Sequence, residues 1–219
     1  MKPRLLDLCC GAGGCSVGYA RAGFDPYGVD HRPQRHYPYW FVQADGLLYL
    51  ERHGREFDAI HVSPPCQGYS VTSSMRHTRA FRGEVPMLID DFRALLQQIG
   101  RPWIIENVTG ARAHMRAPIM LCGLMFGLRM FRHRLFEGSV PLLVPDHPSH
   151  SGHRVGEDGM VCMCGHGDSG RGRTPNDHRN LSAWKRASRI TWMTRDEMSQ
   201  AIPPDYTQWI GKHLMEVIE

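Results

Sequence analysis

The chain has 219 residues, 42% of them hydrophobic, enough for one domain with a substantial core and at most a small appended lobe. No apolar run approaches the roughly 18 residues of a membrane span and strand-like sequence begins by Arg4, so neither a bilayer segment nor a secretory leader is expected, and the cytoplasm is the expected compartment. Net charge is only +4, yet of the 26 basic residues three are Lys and the rest Arg; Arg suits phosphate and guanine edges, but coding bias explains the same ratio, so composition permits a nucleic-acid partner without requiring one.

In chain order, residues 4–8 (Arg-Leu-Leu-Asp-Leu) read as a buried strand. The turn Gly11-Ala12-Gly13-Gly14 follows, and residues 16–23 have helical character, making a strand, glycine turn, helix unit. Residues 26–30 give a second strand ending in Asp30, and 40–44 a third ending at Asp45. A short helix spans 46–53, and 57–62 form a fourth strand. That strand runs into Ser63-Pro64-Pro65-Cys66-Gln67-Gly68-Tyr69-Ser70, where consecutive prolines fix φ and carry the Cys66 thiol on a rigid exit. Rigidity suits a positioned nucleophile, while a small buried cysteine beside a turn fits the same spacing. Apolar residues at 85, 88, 89, 92, 95, 96 and 99 follow the i, i+3, i+4 pattern of a helix, and 103–105 make a fifth strand closing at Glu106-Asn107-Val108. From 141 to about 189, Gly, His, Pro, Asp and Arg dominate, as in a loop-rich insertion. Helical periodicity resumes at 194–202, capped by Thr194 with Glu197 three residues on, and a last helix spans about 205–217.

Strands alternating with helices predict an α/β fold with a doubly wound, mostly parallel sheet. Ligands bind such sheets beyond the carboxyl ends of the strands, where Asp7, Asp30, Asp45, Cys66 and Glu106 all fall. Ser16 stands where the dinucleotide fingerprint has its third glycine, while Asp30 about 20 residues on suits the ribose of an adenosine-type ligand. Taken in order, these residues resemble the DNA (cytosine-5)-methyltransferases. Asp7-Leu8-Cys9-Cys10-Gly11-Ala12-Gly13-Gly14 is similar to that family's first motif, which holds S-adenosylmethionine, with Cys9 where Phe is usual. Asp30 with His31, and Asp45 with Gly46, stand where the family binds ribose and adenine. Pro64-Pro65-Cys66-Gln67 is similar to the nucleophile motif, with Pro64 bordering the cofactor, and Glu106-Asn107-Val108 to the catalytic glutamate motif. Arg132-His133-Arg134 corresponds to the paired-arginine motif, although Met130 replaces the usual Gln. Thr194, Glu197, Gln200 and Pro203 match the ninth motif loosely. Ile210-Gly211-Lys212-His213 lies where the tenth carries Gly-Asn, which would put Gly211 and Lys212 beside the cofactor.

The resemblance implies a Rossmann-like methyltransferase fold and a covalent route. Cys66 adds to cytosine carbon 6, Glu106 binds ring nitrogen 3 and the exocyclic amine, and Arg134 with Arg132 stabilises the carbonyl oxygen. The cytosine must leave the duplex. Residues 67–83, with Gln67, Tyr69, Ser70, Ser73, Arg76, Arg79 and Arg82, would close over it and touch phosphate. Double-stranded DNA is then the partner, and a monomer the expected state.

The chain also departs from the family. Its catalytic part is expected at 1–138, a short target-recognition insertion at 139–190, and helices returning to the catalytic part at 191–219. So small an enzyme resembles stand-alone methyltransferases of bacteriophages. Seven cysteines without a regular framework predict reduced thiols. Cys162-Met163-Cys164-Gly165-His166, near His147, His150 and His153, invites a zinc reading; Cys-x-Cys is irregular for zinc, and a metal-free Gly/His loop explains it as well. Lys212 would set a cation near a sulfonium, which costs Coulomb energy unless an anion intervenes. S-adenosylmethionine bearing a carboxylate on the transferred carbon, carboxy-S-adenosylmethionine, supplies that anion, so carboxymethyl transfer is an alternative; Lys212 facing solvent or DNA phosphate is another. An RNA cytosine methyltransferase and a nonenzymatic DNA-binding protein remain competing functions.

Overall fold

The computed structural model describes residues 1–69, 86–157, 159–163 and 180–218. Strands β1 (Arg4–Leu8), β2 (Asp25–Asp30), β3 (Trp40–Gln43), β4 (Ala59–Val62) and β5 (Trp103–Asn107) run parallel. With β6 (Ile119–Leu121) and β7 (Arg134–Gly138) they form one sheet in the order β3-β2-β1-β4-β5-β7-β6, and β7 is antiparallel to both its neighbours. Leu5, Leu6, Leu8, Ile60, Val62, Ile104 and Ile105 are fully buried, which is why the central strands read as near-continuous apolar runs.

Helices α1 (Gly14–Ala22) and α6 (Pro204–Ile218) cover one face, where Tyr19, Tyr206, Ile210 and Leu214 pack on Leu5 and Ile104. On the other face α2 (Gly46–His53) and α3 (Ile89–Ile99) bring Leu50, Phe92 and Leu96 against Leu6, Leu8 and Ile105. The strand period of two sends Leu5 and Asp7 to the α1 side and Leu6 and Leu8 to the other. Two glycines let α1 and α6 approach: a Cβ on Gly18 would lie 2.0 Å from Thr207 Oγ1, and one on Gly211 2.6 Å from Ala22 Cβ. The Thr207 hydroxyl donates to the Cys15 carbonyl at 2.9 Å across the same contact.

The five parallel strands and the helices at 46–53, 194–202 and 205–217 lie where the sequence pattern places them. Helix α5 (Arg195–Gln200) carries the expected reciprocal cap between Thr194 and Glu197. Residues 181–188, taken from sequence as part of an irregular insertion, instead form α4 (Leu181–Ser188). Asn180 caps this two-turn helix through the Ser182 N–H, and Trp184 is buried; two turns are too short for periodicity to stand out. Strands β6 and β7 were likewise not assigned from sequence. Helix α3 starts at Ile89, with Val85 outside the described residues. Cys9, Cys10, Cys15, Cys66 and Cys122 are free, whereas Cys162 is disulfide-bonded, a correction to the expectation of reduced thiols. No described helix is long and apolar enough to cross a membrane.

Candidate active site

The Cys66 thiol and the Glu106 carboxylate stand at adjacent strand ends. Beyond β4, Pro64 gives its carbonyl to the Asn107 side chain, whose Nδ2–H donates at 3.0 Å, so the Cys66 loop is tied to the end of β5. Cys66 is half-buried, and Glu106, inside β5, is 5% exposed. Arg134, the first residue of β7, holds Glu106 in an ion pair, Nε to Oε1 3.2 Å. Burial pushes Glu106 above the ordinary carboxylate range, against the pull of Arg134 and of a hydrogen bond from Ser63. Burial, and then the charge of Glu106, also push the Cys66 thiol up, while Arg134 and Arg132 pull it down. The net is upward, so cationic neighbours alone do not make a resting thiolate.

A chain of buried hydrogen bonds reaches Glu106 from behind. The Tyr19 hydroxyl lies 2.8 Å from His61 Nδ1, and His61 Nε2 lies 3.0 Å from Ser63 Oγ. Burial lowers His61 to about 3, so the ring is neutral. With Ser63 donating to Glu106, His61 must carry its proton on Nε2 and accept from Tyr19 on Nδ1. Every donor in the chain then points toward the carboxylate.

Beyond β1 the backbone turns sharply: Cys9, Gly11 and Gly13 all have positive φ, at 56°, 50° and 84°. Gly11 N–H donates to Asp30 Oδ2 at 3.1 Å, joining the turn to the end of β2, and the exposed His31 approaches Asp30 Oδ1 at 3.2 Å. Asp7 is fully buried; the Ser16 hydroxyl donates to its Oδ2, and Oδ1 has no partner. The Tyr37 hydroxyl, 2.6 Å from Ser16 Oγ, donates in turn. Burial raises Asp7 to about 7, with the Ser16 bond opposing. Asp45 is exposed and caps α2 through the Leu48 N–H at 2.9 Å, and a Cβ on the following Gly46 would lie 3.7 Å from Cys9 Sγ. The structure thus gathers Asp7, Cys9, Gly11, Ala12, Gly13, Gly14, Asp30, His31, Asp45 and Gly46 at one sheet edge, with Pro64 and Cys66 at the neighbouring strand end.

Several expected site residues make other contacts. Arg132 is buried and spends its two Nη groups on the carbonyls of Met163 and Ser199, at 2.6 and 2.7 Å. It ties chain segments together, while its charge still reaches Glu106 and Cys66 and it lines the same cleft as Arg134. Tyr69, expected to touch DNA, is buried with its hydroxyl accepting the Ile89 N–H at 3.1 Å, so it anchors the start of α3. Gly211 packs on Ala22 and Tyr19, and Lys212 is exposed on α6. Ala22 is eight residues along α1 from Gly14, a rise of about 12 Å, which takes this contact away from the glycine turn. The carboxymethyl alternative rested on Lys212 lying beside the cofactor. Gln67 is exposed in the loop, and Ser70, Ser73, Arg76, Arg79, Arg82, Cys164 and His166 lie outside the described residues.

Other residues reach the site unannounced. Trp192 Nε1 donates to the Ala12 carbonyl at 2.8 Å, and a Cβ on Gly14 would meet the Ile202 carbonyl at 2.3 Å, so residues 192–202 roof the glycine turn. Ser16 was visible only as a departure from the glycine fingerprint; Ser63, His61 and Trp192 carry no local signal. A cleft of about 360 Å³ containing Arg134 is lined also by Thr109, Arg132, Met163 and Ser199. A second, of about 390 Å³, lies among Arg129, Arg186 and Arg189 and includes none of the expected site residues.

The α/β fold, with antiparallel β7 set between β5 and β6, is one shared with a solved methyltransferase. Residues 3–120 match the family of C-5 cytosine-specific DNA methylases, and the chain belongs to it. Among solved structures, the methyltransferase EhMeth of Entamoeba histolytica superposes with a TM-score of 0.58 at 11% identity, over 100% of this chain and 99% of that one, a likeness of fold. A DNA modification methyltransferase encoded within an E. coli prophage is 24% identical over 61% of this chain and 45% of its own, with a TM-score of 0.45. The S. pombe Dnmt2 methyltransferase is 17% identical over 63% and 49%, with a TM-score of 0.44. The chain spans about half the length of these last two. Comparison with curated proteins finds no match.

Proposed function

We propose that the chain methylates carbon 5 of cytosine in duplex DNA through a covalent Cys66 adduct. The observation that carries this reading is the buried Glu106–Arg134 pair standing behind a Pro-Pro-Cys66 loop that Asn107 ties to the same strand end. The residues at the β1 and β2 ends fit S-adenosylmethionine. Asp7 Oδ1 is a buried acceptor without a donor, the turn from Gly11 to Gly14 lets backbone approach a ligand, and Asp30 and Asp45 offer carboxylates to ribose and adenine. When bound, that cofactor supplies an electrophilic methyl group.

Carbon 5 of cytosine is a weak nucleophile until a thiolate adds to carbon 6 and makes the ring an enamine. Protonated Glu106 donates to ring nitrogen 3 and accepts from the exocyclic amine. Because the Glu106 charge raises the Cys66 thiol, protonating Glu106 also favours the thiolate: one protonation state prepares both groups. Arg134 neutralises charge as it develops on the base. Cys66 leaves by β-elimination once carbon 5 has lost its proton. The base must be flipped out to reach Cys66, and residues 139–190 serve as a short target-recognition segment.

Nucleoside mass spectrometry after incubation with S-adenosylmethionine and either duplex DNA or RNA tests the reading. The expected product is 5-methylcytosine in DNA, with a Cys66 adduct trapped on 5-fluorocytosine duplex, and both fall below detection in Cys66→Ala. Product in RNA alone would replace the substrate. No product with either, and no trapped adduct, would leave a nonenzymatic DNA-binding protein.

A further inference from the structure

Four side chains outside the alkylation site converge on one point: Cys122, His133, His147 and His150, each with a ligand atom within 4.8 Å of all the others. Two are placed by the backbone alone. Leu121 of β6 pairs with Arg134 of β7, so the next residues along, Cys122 and His133, face each other as cross-strand neighbours just beyond the ladder. The other two, His147 and His150, arrive on the chain that leaves β7.

A tetrahedral zinc with bonds of about 2.0–2.3 Å sets its ligand atoms about 3.3–3.8 Å apart. Cys122 Sγ and His150 Nε2 already stand 3.4 Å apart. The imidazoles lie ring against ring: His133 to His147 5.7 Å between centroids and nearly parallel, His133 to His150 5.0 Å, His147 to His150 4.9 Å. The sulfur is fully buried, and as the cap of the turn Gly123–Phe126 it accepts the backbone N–H of Met125. Backbone donors aimed at sulfur are what a coordinated thiolate needs around it.

We propose that Cys122, His133, His147 and His150 bind a structural zinc ion that staples the segment following β7 to the β6–β7 edge. One thiolate and three imidazoles suit zinc, and four protein ligands leave no open position, so the ion holds structure and takes no part in alkyl transfer. His133 lies between Arg132 and Arg134, and Arg134 Nη1 donates to the His133 carbonyl at 2.8 Å. The ion would therefore also steady the backbone that aims Arg134 at Glu106. Of the Cys-x-Cys pair that drew attention in the sequence, Cys162 is disulfide-bonded and is not among these four ligands, and Cys164 lies outside the described residues.

Elemental analysis of the full chain, purified without a polyhistidine tag, tests the site. Stoichiometric zinc is expected, lost in Cys122→Ser and in His147→Ala, and retained in Cys162→Ser. His147 is exposed, so its replacement leaves folding intact if zinc is absent from the native protein. Exchange of zinc for cobalt(II) should give a sulfur-to-cobalt charge-transfer band that Cys122→Ser removes, and a chelator should lower the melting temperature of the native chain but not of His147→Ala. Protein with no zinc, even after dialysis against it, would overturn the proposal, as would zinc that survives both Cys122→Ser and His147→Ala. Another transition metal held by the same residues would overturn the choice of ion.

Discussion

The carboxylate of Glu106 is held from one side by Arg134 and from behind by hydrogen bonds that begin on Tyr19 and pass through His61 and Ser63. Removing the Ser63 hydroxyl takes away a donor to a buried charge, worth about 1.5–3 kcal/mol. Glu106 is already raised, and the loss raises it further. Activity that needs protonated Glu106 falls as pH rises through its pKa, so Ser63→Ala should move that limb of the pH–rate profile to higher pH while the Cys66 adduct still forms; an unmoved limb would remove Ser63 from this role. The sequence treats Arg132 and Arg134 alike, as two arginines two positions apart. Only the fold separates them: Arg134 starts β7 beside Glu106, whereas Arg132, ahead of the strand, turns to the carbonyls of Met163 and Ser199. Burial and the neighbouring Arg134 lower Arg132 to about 9, consistent with its lack of a carboxylate partner among the described residues.

Among the elements, the crossing of α1 on α6 leaves little room for change. A Cβ on Gly18 would meet the Pro204 carbonyl at 2.2 Å as well as Thr207, and backbone cannot swing aside as a long side chain can. Gly18→Ala should therefore destabilise the chain by about 1–3 kcal/mol or more, although alanine is the better helix former, and chemical denaturation would show it as a lower midpoint. Long periodic elements were legible because their faces are continuous. Helix α3 shows its apolar stripe plainly, yet the same pattern hides Arg93, which reads as a solvent position. Arg93 is 2% exposed and grips Glu137 of β7 through Nε and Nη2 at 2.6 and 2.9 Å. Periodicity reports apolar faces and is silent about a buried ion pair. Strand β6, three residues long, gives too few alternations to register, and so Cys122 and His133 could not be recognised as neighbours before their strands were paired.

For the molecule as a whole, Asp7 makes stability depend on pH. Its folded pKa, about 7, lies above the ordinary carboxyl value of 3.8, so between those limits the folded chain keeps a proton that the unfolded chain releases. Stability should therefore fall as pH rises through this window, by roughly 4 kcal/mol at 1.4 kcal/mol per pKa unit. In Asp7→Asn that component should vanish, and parallel stability–pH curves for the two proteins would refute it. The strand-end positions of Asp7, Asp30, Cys66 and Glu106 were readable from motif order because the sheet topology itself dictates them. Matching Gly211 and Lys212 to a short motif ignores the helix on which they ride, which packs Gly211 on Ala22 and leaves Lys212 exposed. That helix also sets a timetable. Cys15 and Thr207, joined across α1 and α6, are 192 residues apart, and at about 5–20 residues per second their meeting comes on the order of 10–40 s after α1 is made. Through that interval Tyr19 and Phe24 lack their final cover, so a ribosome-bound chain is a natural client for chaperones until Pro204–Ile218 has emerged.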